Sequence, residues 1–238
     1  MMRYGCIVSV ALASRAFGAA PDISHVNSSI SVPAGQPVGS VSTVNGSIRV
    51  DDQAVVANAH TVNGAITLGS AACAQSVSAV NGAIRLGAGT SVQSLSSVNG
   101  SISIGAGGHV AGAVTTTNGA IVLEHAADIS GHLANVNGRV SLNAAHVGGG
   151  IETVSGAIDI GAGSRVEGGI LVRHTMGIWD WIVPWHPEPS LVVIGPDSVV
   201  QGTLIFEHDV KLYVSARARI GPVQGAIPIA FAGDQPPI

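Results

Sequence analysis

The sequence predicts an all-β fold: a single-stranded, three-sided parallel β-helix, or β-solenoid, with about eighteen residues per rung and about ten rungs. Three observations predict it. An Asn-Gly pair recurs at near-constant spacing, the residues after it alternate apolar and polar, and the composition is that of a β protein. Charged residues are 10% of the chain against roughly 25% in typical globular proteins. Lys211 is the single lysine, and Val, Ile and Ala supply most of the apolar content. Such hydrophobicity excludes a disordered chain, and the scarcity of Leu, Glu, Lys and Arg disfavours a helix bundle.

The repeat is read first. Asn-Gly begins at Asn45, Asn63, Asn81, Asn99, Asn118 and Asn137, with a Ser-Gly variant at Ser155, at intervals of 18, 18, 18, 19, 19 and 18 residues. The units align as VNGSIRV, VNGAITL, VNGAIRL, VNGSISI, TNGAIVL, VNGRVSL and VSGAIDI. Counting the residue before each Asn as slot one, slots five and seven are apolar, which is the period of a strand with one buried face. Further apolar slots fall near thirteen (Val56, Val92, Val110, Ile129, Val147, Val166) and sixteen (Val77, Leu95, Val114, Leu133, Ile151, Ile170). Three short apolar patches per repeat, separated by turns, describe a three-sided coil. Successive rungs then stack at roughly 4.8 Å into a rod roughly 45–50 Å long. Asn-Gly suits a corner, since both residues tolerate the left-handed backbone region. Stacked asparagines are also expected to form a hydrogen-bonded structural ladder.

The elements in order are a leader, a cap, the regular coil, an insertion, the last rungs and a tail. Residues 1–20 carry Arg3, an apolar stretch over 6–14 and small residues at Ala19-Ala20, a pattern that resembles a secretory signal peptide. Export to the periplasm or cell surface is therefore expected, with no transmembrane span after its removal, since no other stretch reaches ~20 apolar residues. Residues 21–43 read as an N-terminal cap or entry rung, 44–172 as the regular solenoid, 191–223 as its final rungs and 224–238 as the C-terminal tail. Between them, 173–190 (RHTMGIWDWIVPWHPEPS) holds all three tryptophans, Trp179, Trp181 and Trp185. It reads as a loop thrown out from one corner. It either contacts a partner or covers a flank of the rod.

Little chemistry is legible. The net charge of −4 comes with no basic run, so no nucleic-acid partner is expected. No P-loop, Cys-x-x-Cys or His-Glu-x-x-His motif occurs. The acids scatter, which argues against a polysaccharide-cleaving β-helix with clustered carboxylates. Slot six (Arg49, Thr67, Arg85, Ser103, Val122, Ser141, Asp159) is too mixed for an ice-binding array. One column stands out just before slot thirteen: Ser91, His109, Asp128 and His146 in successive rungs. A Ser–His–Asp relay or a metal site could be drawn there, but each needs convergence that a flat column lacks. An exposed polar ladder is the simpler reading. No cofactor is expected.

Two family resemblances follow from these residues. The runs IGAGSRV (160–166) and IGPDSVV (194–200) resemble the hexapeptide repeat of left-handed β-helix acyltransferases, which requires apolar residues at slots one, seven and thirteen, as found here; Asn-Gly at slots two and three and the nineteen-residue rungs depart from it. That resemblance implies a trimer with a catalytic histidine, and no residue here carries the role over. The VNGxIxLGxG unit and the segment IGPDSVVQGTLIFEHDVKLYVSARARIGPV more closely resemble exported bacterial β-strand-repeat proteins of adhesin-like type. Their coil is similar to that of the bactofilins, polymer-forming cytoskeletal proteins. The resemblance covers roughly residues 41–223 and favours a right-handed coil over a left-handed one. It implies architecture more than activity. The expected function is a non-catalytic exported scaffold or adhesin-like binding protein of the bacterial envelope. Its expected partners are its own copies, an envelope protein or a glycan. The alternatives are a hexapeptide-repeat acyltransferase and a bactofilin-like polymer-forming protein.

Overall fold

A computed structural model describes residues 20–174 and 189–236. Every regular element in them is a β-strand, and the strands pair in parallel within one eleven-stranded and one seventeen-stranded sheet. The register follows the repeat. Ile48 pairs with Ile66, Ile66 with Ile84, and Ile84 with Ile102, so each slot stacks on the same slot of the next rung. The chain is thus a β-solenoid, and its slot-five strands form the eleven-stranded column. Among the described residues no helix is long and apolar enough to cross a membrane.

The core is the inside of the coil. Slots five and seven, as in Ile102 and Ile104, are fully buried, and so are slots thirteen and sixteen, as in Val110 and Val114. Each rung alone would leave these side chains wet. Stacking covers them, so stability accrues between neighbours.

Four features sharpen or correct the sequence expectations. The first is at the N-terminus, where the cap-or-entry-rung alternative for 21–43 resolves to a rung of the coil. Strand Ile30–Val32 pairs with Ile48–Val50, and Ile23–His25 pairs with Pro37–Asn45, both in repeat register. Val26-Asn27-Ser28 stands eighteen residues before Val44-Asn45-Gly46, with Ser28 in place of glycine. The ladder also runs past residue 223, since Ile229–Phe231 pairs with Val210–Ser215.

The second is the shape of the rung. Between residues 37 and 99 slots thirteen and sixteen lie on one nine-residue strand, as in Val55–Asn63 and Ser91–Asn99. From residue 109 that strand divides in two, His109–Val110 and Val114–Asn118. The cause is one extra residue. Val92 and Leu95 are three apart, whereas Val110 and Val114, Ile129 and Leu133, and Val147 and Ile151 are four apart. The longer corner carries glycine at Gly112, Gly131, Gly149 and Gly168, stacked so closely that a Cβ on Gly131 would meet the Gly112 carbonyl. The interval of 18 from Asn137 to Ser155 conceals two opposite changes. Its slot-thirteen-to-sixteen corner is one residue longer than in the early rungs, but Leu142 to Val147 spans five residues where Leu123 to Ile129 spans six.

The third is slot one, which is apolar but does not point into the core. Val26, Val44, Val98 and Val136 are exposed there, while the residues before three of them, Thr43, Ser97 and Asn135, are buried. The strand alternates, so a buried residue at slot zero forces slot one outward.

The fourth is the corner itself. The left-handed backbone lies at slot ten, at Gly35, Gln53, Ala71, Gly89, Gly107, Ala126, Ala144, Gly163 and Asp197 (φ from 44° to 69°). The Asn-Gly corner does not use that region at Asn45, Asn63, Asn81, Asn99 or Asn118. Glycine follows asparagine for a different reason. A Cβ on Gly64 would run into the Gly46 carbonyl, and one on Gly82 into the Gly64 carbonyl. The corner needs close approach between rungs more than conformational freedom.

Candidate functional site

The asparagine ladder forms as expected. Asn63 Nδ2 donates to Asn45 Oδ1 at 2.8 Å, Asn81 to Asn63 at 3.0 Å, Asn99 to Asn81 at 2.9 Å, Asn118 to Asn99 at 2.9 Å and Asn137 to Asn118 at 3.0 Å. It begins one rung before the Asn-Gly series, with Asn45 donating to Asn27 at 2.8 Å. Every amide donates toward the N-terminal rung, so the dipoles align along the rod.

A second ladder, inside the rod, was not read from the sequence. In most rungs slot zero is buried yet polar, and its side chains donate to backbone carbonyls of the preceding corner. Thr43 Oγ1 reaches the Ser28 carbonyl at 2.9 Å and Thr61 Oγ1 the Gly46 carbonyl at 2.9 Å. Thr116 Oγ1 reaches the Gly100 carbonyl at 3.1 Å, and Asn135 Nδ2 the Gly119 carbonyl at 2.8 Å. These bonds satisfy acceptors that tight corners would otherwise leave buried. The signal was available, since a small polar residue stands two before most of the repeat asparagines. Both ladders stop together. Ser155 replaces asparagine, and the buried Thr153 hydroxyl of the same rung has no partner.

Among the described residues, titratable groups gather in register along the outward column at slot twelve. His109 pairs with Ser91 on one side and with Asp128 on the other, and Asp128 pairs with His146. His109 Nδ1 meets Asp128 Oδ2 at 2.6 Å, and His146 Nδ1 makes a short contact with Asp128 Oδ1. An ionised carboxylate only accepts, so both imidazoles donate through Nδ1. His146 Nε2 lies 3.5 Å from Glu167 Oε1, which also accepts from Arg165 Nε at 3.2 Å. The side chains are between one third and one half exposed.

This arrangement is a chain of pairs along an edge. Ser91 makes no hydrogen bond to His109, so the Ser–His–Asp relay is not assembled. Both Nδ1 atoms are committed to one carboxylate. Among the described residues no three His, Cys, Asp or Glu side chains are placed to hold a metal ion.

Two further features lie around the eleven-stranded sheet. The insertion replaces the Asn-Gly corner of its rung. Val172 at slot zero and Val192 at slot five are 20 residues apart where Thr153 and Ile158 are 5 apart, a gain of 15. Trp179, Trp181 and Trp185 lie outside the described residues. Near that corner, a groove of about 470 Å³ opens on the outer face of the eleven-stranded sheet. Its rim includes Arg139, Asp159, Leu191 and Val193, and residues 234–236 border it. Arg217 Nη2 sits 3.4 Å from Asp234 and 3.3 Å from Asp197, which ties this tail to the rod.

Compared with family models, with curated proteins and with solved structures, the chain matches none.

Proposed function

We propose that the chain is a non-catalytic, exported scaffold or adhesin-like binding protein of the bacterial cell envelope. One observation carries the reading. The densest cluster of chemically capable side chains, at His109, Asp128 and His146, is a flat, mutually satisfied column without a bound-substrate geometry. Its groups stabilise the rod by pairing with each other. A long stack of like rungs instead offers extended flat faces, the usual working surfaces of solenoids. The signal-like residues 1–20 support export, and the insertion at 173–190 supports a partner contact, where repeats commonly place function.

The test is fractionation of native cells followed by pull-down with the full-length chain and with a chain lacking 173–190. Recovery in the envelope fraction, with partner capture lost on deletion, is the expected result. A cytosolic location refutes the export reading. Capture unchanged by the deletion refutes the insertion as contact.

The two alternatives separate from this reading by assembly. A hexapeptide-type transferase requires a trimer and acyl-donor binding. A bactofilin-like protein would form filaments visible by electron microscopy.

A further inference from the structure

The face formed by slots minus one, one and two of the first seven rungs is unlike the rest of the rod. Its strands are Ile23–His25, Pro37–Asn45, Val55–Asn63, Cys73–Asn81, Ser91–Asn99, Val114–Asn118 and Leu133–Asn137, and none contains Asp, Glu, Lys or Arg. Its outward columns are a Ser/His/Thr series (Ser42, His60, Ser78, Ser96, Thr115) and the slot-one valines, flanked by the asparagine ladder. Among the described residues, four of the seven exposed large hydrophobic ones lie in that single valine column: Val26 at 63%, Val44 at 40%, Val98 at 43% and Val136 at 38% exposed. Apolar exposure is therefore concentrated here.

We infer that this face is an interface for a second copy of the chain, packed face to face about a two-fold axis. Three physical arguments favour a second copy. In a two-fold contact the same surface appears on both sides, so a charge near the axis meets its like. The chain carries a net charge of −4. This face lets two such chains meet without like charges opposed, whereas the outer slot-six column and the slot-twelve edge carry Arg49, Arg85, Asp159, Asp128 and Arg165. Second, both partners share the same rung spacing of roughly 4.8 Å, so small Ser and Val columns can interdigitate along the whole contact, as paired sheets do. Third, seven rungs by about six residues give a flat area on the order of 600 Å², approaching the ~800 Å² per partner of a stable complex. The inference rests on the scaffold reading and supplies its self-association surface.

The experiment is sedimentation velocity of the full-length chain over a concentration series at low and high salt. Wild type should show a monomer–dimer equilibrium that salt barely changes, because no exposed charges oppose or attract. The triple variant Ser42→Glu, Ser78→Glu, Ser96→Glu should weaken the dimer by at least about a hundredfold, as like charges placed opposite each other do. The matching triple lysine variant should do the same, and an equimolar mixture of the two should restore association. Thr67→Glu with Ser103→Glu, on the other sheet's outer face, should leave it unchanged. Circular dichroism checks that each variant is folded, and Val98→Glu replaces the triple variant if that one fails to fold. A wild type that stays monomeric to its solubility limit overturns the inference, as does a glutamate variant that dimerises like wild type. A monomer that instead pellets with an insoluble uncharged polysaccharide, and loses this with the same substitutions, overturns the second copy as occupant. Each of these results leaves the non-catalytic envelope reading to its own fractionation test.

Discussion

The rungs at 37–99 and those at 100–172 are built from the same repeat yet present different surfaces. The first group carries one nine-residue strand per rung, with two consecutive outward residues at its bend, such as Ala57 and Asn58. Those nine-residue strands carry no Asp, Glu, Lys or Arg. The second group has one more residue at that bend, a stacked glycine corner, and two shorter strands. Five ion pairs among the described residues fall in the later rungs, from His109–Asp128 to Arg173–Glu152, while Arg49–Asp51 stands alone in the earlier ones. One inserted residue thus changes a corner from a bent strand into a glycine turn without disturbing the inward slots. The core tolerates this because slots thirteen and sixteen keep their own register partners across the boundary: Val92 with Val110, and Leu95 with Val114.

The largest expected effect comes from breaking the later corner. Gly131→Ala should cost about 3 kcal/mol in chemical denaturation, because its Cβ would meet the backbone of Gly112, which cannot retreat. The corresponding bend in the earlier group has no such approach, so Ser94→Ala should stay within about 0.5 kcal/mol. Equal costs would mean the two corners are energetically the same.

Next comes the seam between the groups. Asn99 donates to Asn81 and accepts from Asn118, each at 2.9 Å. Asn99→Ala removes both bonds and should cost about 1–2 kcal/mol. Native-state hydrogen exchange should then show the rungs after residue 100 opening more readily than those before it. Unchanged coupling would place the ladder's contribution elsewhere.

The slot-ten turn is shared by both groups, so its cost should be the same in each. Gly89→Ala and Gly107→Ala both place a side chain at φ 64° in open space. Each should lower stability by about 1 kcal/mol, read from the melting midpoint. A clear difference between them would show that the corner change propagates along the rung.

The smallest effect belongs to the polar column, which only the later group carries. Asp128→Asn should cost no more than about 1 kcal/mol at low salt and less at high salt, because its partners are partly exposed. A loss of several kcal/mol would show that the column, and not the corner, holds the later rungs together.

Much of the fold was legible because a solenoid is nearly one-dimensional: residues one repeat apart become neighbours, so spacing reads directly as contact. The asparagine ladder, the buried slots and the slot-twelve column all followed from that rule. The first rung was legible only as a cap or an entry rung, because Ser28 replaces glycine in an otherwise intact motif. The inner ladder escaped the rule because Thr43, Thr61 and Thr116 look like exposed strand residues until the corner carbonyls beneath them are placed. The candidate site was legible as a list of residues in order. Which nitrogens meet which oxygens was not, since that depends on side-chain directions.

The amino-acid sequence by itself determined the period, the stacking partners and the identity of the core slots, because all three are counting rules along the chain. Only the tertiary structure decided why glycine follows asparagine and which way slot one points. It also decided that Asp128 binds two histidines while Ser91 stands apart. Those outcomes depend on distances between adjacent rungs, where a backbone carbonyl, a Cβ and a hydrogen bond compete for the same few ångströms. No count along the chain measures that space.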